Sequence, residues 1–124
     1  MRITVGFQFE GIHSLPHLPD GNACKGLHGH RYEVKVAIFG NIDERTGFAG
    51  GVDYHDVMLF CRARVIDVLH HKNLDNFIKP QSTAERLAVW IWGQLAPRFP
   101  SISEVSVSET GTHWITYEGE VGEL

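Results

Sequence analysis

Hydrophobic and polar positions alternate from the first residues onward. Ile3, Val5, Phe7 and Phe9 stand on one phase and Arg2, Thr4, Gln8 and Glu10 on the other, the period-two pattern of a strand with one buried face. A first strand is predicted from about Arg2 to Glu10 or beyond, with His13 near its end on the apolar phase. A second starts near His28, where Tyr32, Val34, Val36 and Ile38 continue in phase with His28 and His30, while Arg31, Glu33 and Lys35 face away. Between them Ser14 to Ala23 carries Pro16, Pro19 and Asp20-Gly21-Asn22, which break regular structure and read as a loop.

The pattern then changes period. After a turn-rich connection from Gly40 to Gly51, Asp53 opens a helix, Asp56 adds a carboxylate to its first turn, and Val57, Cys61, Val65 and Val68 form its stripe. His70 to Asp75 leaves that helix for a loop. Ser82-Thr83-Ala84-Glu85 reads as a capping box in which Ser82 and Glu85 satisfy each other's backbone donors. The helix that follows has the stripe Ala84, Leu87, Ala88, Ile91 and Leu95 and ends at Pro97 and Pro100. Trp90 and Trp92 cannot both lie on that stripe, so at least one covers a neighbouring element or a subunit contact. Two closing strands are predicted over Glu104 to Glu109 and His113 to Glu118, with Gly111 in the turn. The order ββααββ, with helices grouped, implies an α+β fold: one four-stranded antiparallel sheet with two helices on one face.

Composition narrows this picture. With 124 residues, 43% of them hydrophobic, the chain suits a single domain over residues 1–124. A formal charge of −4 without a run of Lys or Arg argues against a nucleic-acid surface and for a small-molecule partner. Cys24 lies in a Gly-flanked loop and Cys61 within a helical stripe, which is no disulfide framework, so a reducing cytoplasm is expected. The first residues enter strand alternation with no charged stretch followed by an apolar one, and no apolar run is long enough to cross a bilayer, so a soluble, unexported protein is expected.

The candidate chemistry centres on Cys24-Lys25-Gly26-Leu27-His28-Gly29-His30. Residues i and i+2 of a strand project from one face, so His28 and His30 can reach one ion, and His13 adds a third inward imidazole. Three imidazoles without a fourth protein ligand are the composition of a catalytic zinc site with an open position, although imidazole suits other transition metals too. Cys24 is the candidate thiol beside it, reactive as thiolate, a form that Lys25 and a nearby cation would favour. Cys61 is read as core. Glu109 shares the buried phase of Val105 and Val107. It either reaches water at the strand end or accepts from an amidine- or guanidine-like ligand edge.

Taken together, Phe7-Gln8-Phe9-Glu10-Gly11-Ile12-His13, Cys24-x-x-x-His28-Gly29-His30, Val52-Asp53-Tyr54, His71-Lys72-Asn73-Leu74-Asp75, Ser82-Thr83-Ala84-Glu85 and Glu109-Thr110 resemble the 6-pyruvoyl-tetrahydropterin synthase family. The three-residue gap between Cys24 and His28 is similar to that of the bacterial 6-carboxy-tetrahydropterin synthases of the queuosine and 7-deazaguanine pathway. The resemblance implies the tunnelling fold and trimeric barrels paired into a homohexamer with active sites between subunits. It also implies Zn2+ on His13, His28 and His30, and a pterin triphosphate, 7,8-dihydroneopterin triphosphate, as substrate. Cys24 and His71 would be catalytic, Glu109 would anchor the pyrimidine edge, and Thr110 and Thr83 would join the substrate site. The product would be 6-carboxy-5,6,7,8-tetrahydropterin, with loss of triphosphate and acetaldehyde. The alternatives are a pyruvoyl-synthase or a side-chain-cleaving relative. A third is a zinc- and pterin-binding member with weak or no catalysis, because His70 occupies the position of the family's triad aspartate. If the first helix runs to residue 71, Asp67 shares a face with His71 and supplies the missing carboxylate. His17, which could approach the metal or stay solvated, is left without a role, as are His55 and His113.

Overall fold

The alternation at the start of the chain becomes two antiparallel strands of 12 residues, β1 (Arg2–His13) and β2 (His28–Phe39), in a computed structural model that describes residues 1–120. Their register sets Val5 opposite Val36, Phe9 opposite Tyr32 and His13 opposite His28, so the apolar phases share one face. On the far side of β2 lie β3 (Ile102–Ser108) and β4 (Ile115–Tyr117), completing a sheet in the order β1-β2-β3-β4. β3 starts earlier than its pattern suggests, and Glu109 falls just beyond it. β4 is shorter than expected, because Thr110 to His113 form a self-bonded turn: Thr110 Oγ1 accepts from the His113 amide at 2.9 Å and Ser108 Oγ from the Gly111 amide at 2.8 Å. The last four residues of the predicted 1–124 domain lie outside the described residues.

The first helix is one rod in three parts: α1 (Tyr54–Cys61), a π-helical turn over Arg62–Ile66, and α2 (Asp67–Leu69). Asp53 caps it as expected, its Oδ1 accepting from the His55 amide at 2.9 Å. The buried stripe is Val57, Cys61, Val65 and Leu69, so Leu69 takes the place predicted for Val68. The π turn causes the change, since its i→i+5 bonding adds a residue to the turn and keeps fourfold spacing on one face. α3 (Ala84–Leu95) buries Ala84, Leu87, Ala88, Ile91 and Leu95, as its pattern implies. Its cap is Thr83, whose side chain accepts from the Arg86 amide, and the Ser82–Glu85 box does not form. Ser82 is occupied elsewhere: buried at 2% exposure, its hydroxyl donates to Asp75. Both helices pack on the apolar face of the sheet in one core with Phe9, Tyr32, Val34, Val36, Val105 and Val107. Trp92 leaves the α3 stripe to meet Tyr117 of β4 edge to face at 5.2 Å between ring centroids. No helix among the described residues is long and apolar enough to cross a membrane.

Candidate metal centre and active site

The β1–β2 register builds the metal centre. His13 faces His28 directly, and His30 faces Gly11, so three imidazoles meet at one end of the sheet. Their ligand atoms all lie within 4.8 Å of one another, the only such group of three His, Cys, Asp or Glu among the described residues. His13 is fully buried and the other two partly.

Hydrogen bonds orient two of the rings. His13 Nδ1–H donates to the Ser82 carbonyl at 2.8 Å, and His28 Nδ1–H donates to the Gly26 carbonyl at 2.7 Å. A carbonyl only accepts, so each Nδ1 carries the proton and each neutral ring turns its Nε2 lone pair inward. Those two Nε2 atoms stand 3.0 Å apart. Two lone pairs facing each other at that distance need a proton or a cation to share. Among the described residues His30 Nε2 is buried without a hydrogen-bond partner, 3.7 Å from Glu109 Oε2. Burial holds the His30 pKa below its ordinary value, with Glu109 opposing and His13 and His28 adding to the depression. The neutral ring that a metal requires is thus favoured. The donor set fits a divalent ion of the zinc type.

Glu109 and Thr110 line a cleft of about 320 Å³ with Thr83, His17, Leu18 and His113, within the size range of small-ligand pockets. Glu109 is therefore turned inward beside His30, while His17 and His113 border the cleft rather than joining the histidine cluster. His55 is exposed on the first turn of α1.

Cys24 is exposed in the loop between the strands, its amide donating to Asn22 Oδ1 at 2.8 Å. Lys25 does not serve the thiol as expected. Its Nζ donates to the carbonyls of Leu18 and Pro16 at 2.9 and 3.1 Å and pairs with Asp20 at 3.1 Å, so its charge is spent tying the loop together.

His71 lies in a cleft with Glu10, Ile12, Gly29, Arg31 and His30 of the histidine cluster. Among the described residues no hydrogen bond or ion pair joins it to Cys24. Its backbone is left-handed, with φ of 62°, a costly conformation for a residue with a side chain. The amide of His71 donates to Glu10 O at 2.7 Å, and the Ile12 amide donates to Lys72 O at 3.1 Å, so this corner is stitched to the outer edge of β1. The helix ends at Leu69 and His70 is extended, so the premise that Asp67 shares a helical face with His71 fails. Glu10 is the carboxylate that faces His71, with Oε2 3.9 Å from Nε2, while its Oε1 is 3.6 Å from Arg31. His70 accepts the Glu10 amide on Nδ1 at 3.1 Å and stacks on His71 at 3.7 Å between ring centroids.

Two features escaped the sequence reading. Asp75 accepts from Ser82 Oγ at 2.5 Å, from Ser14 Oγ at 2.7 Å and from the Ser14 amide at 3.1 Å. Burial would raise the Asp75 pKa, but these bonds outweigh it and hold the carboxyl below its ordinary value. Tyr32 is fully buried, edge-on to the rings of His13 and His30, and its hydroxyl has no partner among the described residues. Burial, with Glu109 and Asp75 adding to it, pushes its pKa upward. Parity already places Tyr32 on the histidine face; what the pattern does not carry is the state of its hydroxyl there.

The antiparallel ββααββ sheet with three convergent imidazoles at one end agrees with the resemblance to the tunnelling-fold pterin synthases. The sequence profile of the 6-pyruvoyl tetrahydropterin synthase family matches residues 2–120, and the chain belongs to that family. It is 35% identical over 99 residues to the human 6-pyruvoyl tetrahydrobiopterin synthase, covering 75% of this chain and 67% of that protein. It is 30% identical over 115 residues to the 6-carboxy-5,6,7,8-tetrahydropterin synthase of Synechocystis, covering 90% and 88%. The Caenorhabditis elegans 6-pyruvoyl tetrahydropterin synthase structure shares the fold with a TM-score of 0.84 at 24% identity, covering 97% of this chain and 96% of that one.

Proposed function

We propose that this protein is a zinc-dependent lyase converting 7,8-dihydroneopterin triphosphate and water to 6-carboxy-5,6,7,8-tetrahydropterin, with release of triphosphate and acetaldehyde. The observation that carries the product assignment is the short loop from Cys24 to His28, in a chain aligning with 88% of the Synechocystis carboxy-synthase. The higher identity to the human pyruvoyl-synthase, 35% against 30%, keeps a pyruvoyl product as the second reading.

His13, His28 and His30 would hold the metal, which when bound supplies Lewis-acid stabilisation for negative charge developing on the substrate's side-chain oxygens. The remaining work falls to the chain. Glu109 accepts from the amino and ring N–H groups of the pyrimidine edge, and Thr83 and Thr110 line the same cleft. Cys24 as thiolate removes a side-chain proton, and His71 exchanges one with solvent or substrate. Glu10 fills the role of the missing aspartate, facing the His71 imidazole from β1. Cys24 and His71 act on one substrate when two chains meet. β1 is a sheet edge of 12 residues, and its span from Arg2 to Gln8 is available for pairing with a second copy. A homohexamer is the assembly this reading expects, in a cytoplasmic setting.

The test is to incubate zinc-loaded protein with 7,8-dihydroneopterin triphosphate and identify products by mass spectrometry, with Cys24→Ala as control. A carboxy-tetrahydropterin that disappears in the control supports the first reading, and a pyruvoyl product selects the second. Zinc and pterin binding without turnover would sink both.

A further inference from the structure

We propose that Asp75 is a positioning residue for the metal centre, acting through Ser14 and Ser82 to fix the tautomer and orientation of His13. The inference rests on reading the three histidines as a metal site and deepens it.

His13 is held from two directions. Its ring N–H donates to the carbonyl of Ser82, with Ser82 Oγ also 3.3 Å from the same Nδ1, and the residue that follows it in the chain is Ser14. Both serines terminate on the one Asp75 carboxylate: Ser82 Oγ on Oδ1, Ser14 Oγ and the Ser14 amide on Oδ2. Both oxygens are engaged, so the carboxylate has a single orientation. Asp75 is itself set by its amide donating to Asn73 Oδ1 at 2.9 Å and by the pairing of Asn73 with Ile12 of β1.

The consequence is geometric. The end of β1 and the residue before the α3 cap are otherwise independent segments, and nothing in the sheet register dictates where the Ser82 carbonyl sits. The Asp75 carboxylate joins them, and the acceptor that keeps the proton on Nδ1 is thereby placed to leave Nε2 free for the ion. Outer partners of metal-bound imidazole commonly act this way, and their loss weakens metal binding about 10–100-fold. The same demand explains why Ser82 does not cap α3, although its sequence pattern suits the task.

The experiment measures zinc affinity of the full-length protein by competition with a chromogenic chelator, independent of catalysis. Asp75→Asn presents N–H groups to donors and should weaken zinc binding about 10–100-fold. Ser14→Ala removes one bond to the carboxylate, Ser82→Ala removes one together with the 3.3 Å contact to His13 Nδ1, and each should produce smaller losses. Asp43→Asn takes the charge from the turn bonds that Asp43 Oδ1 accepts from the Arg45 and Thr46 amides, away from the histidines, and serves as a control for the same charge change without change at the site. Nitrogen-15 spectra of the metal-free protein give a second readout: the His13 ring should lose its Nδ1–H preference in Asp75→Asn and keep it in Asp43→Asn. Zinc affinity in the Asp75 and serine variants no lower than in Asp43→Asn, or an unchanged His13 tautomer, overturns the proposal. Wild-type protein that takes up no zinc overturns the metal reading and this inference together, whereas zinc binding without turnover leaves the inference standing and removes only the enzymatic assignment. If Asp75→Asn does not fold, the two serine variants decide.

Discussion

His13, His28 and His30 project from paired strands, bury their rings at least in part, and owe their convergence to a register that runs the whole length of β1 and β2. His70 and His71 ride a corner after a π-containing helix, keep the His71 side chain 70% exposed, and depend on a few bonds to the edge of β1. The first group is preorganised by the sheet and needs only an ion. The second is held in a strained backbone and faces a surface where another chain can complete it. On the proposed reading, rigid binding and shared catalysis would fall to different kinds of local structure.

The sharpest test of that division separates zinc from turnover. His28→Ala should abolish stoichiometric zinc uptake and product formation, whereas His71→Ala should keep full zinc binding and lose product; zinc loss in His71→Ala would break the comparison. Leu74 joins the two regions, since it is fully buried and packs where any Cβ on Gly11 would collide with its Cδ1. Leu74→Ala should lower unfolding stability by about 2–5 kcal/mol in denaturant titrations. In steady-state kinetics Glu10→Gln should reduce kcat about tenfold or more, while Asp67→Asn leaves it near wild type. The reverse order would restore Asp67 as the partner of His71. His71→Gly should raise stability by about 1 kcal/mol through relief of the left-handed backbone, while eliminating turnover.

The smallest effect at neutral pH concerns the thiols. Cys61 is fully buried, and burial pushes its pKa up to about 12 from 9.0. A raised folded-state value means the unfolded chain ionises first, so its contribution is complete below pH 9.0 and is lost as pH rises towards about 12. Cys61→Ala should flatten the alkaline limb of the stability profile, which wild type should show. In native protein a thiol reagent should titrate Cys24 alone, and labelling of Cys61 before unfolding would contradict its burial.

The strands were legible because a period of two survives any tertiary context that buries one face. Ile3 through Phe9 and Tyr32 through Ile38 kept their phases, and with them the histidines at i and i+2. The first helix was legible only to Val65, after which the π turn moved burial from Val68 to Leu69, a shift no α-periodic template contains. Ser82 and Thr83 both suit a cap, and the choice between them rests on Asp75, whose partners lie 7 and 61 positions away. His71 carried no pattern of its own and was found through family motifs. Glu10 read as a solvent-facing strand residue until the corner that it meets was in place.

The π turn at Arg62–Ile66 has a bearing on how this chain can change over generations. A substitution that tightened the turn to ordinary α geometry without removing a residue would rotate everything downstream by about 100°. Leu69 would leave the core, and the His70–His71 corner would swing off the strand it is sewn to. Loss of one residue there, Ala63 for example, would by contrast restore an ordinary helix with that corner near its present bearing, because the turn holds one residue more than an α turn and the Ala63 side chain is exposed.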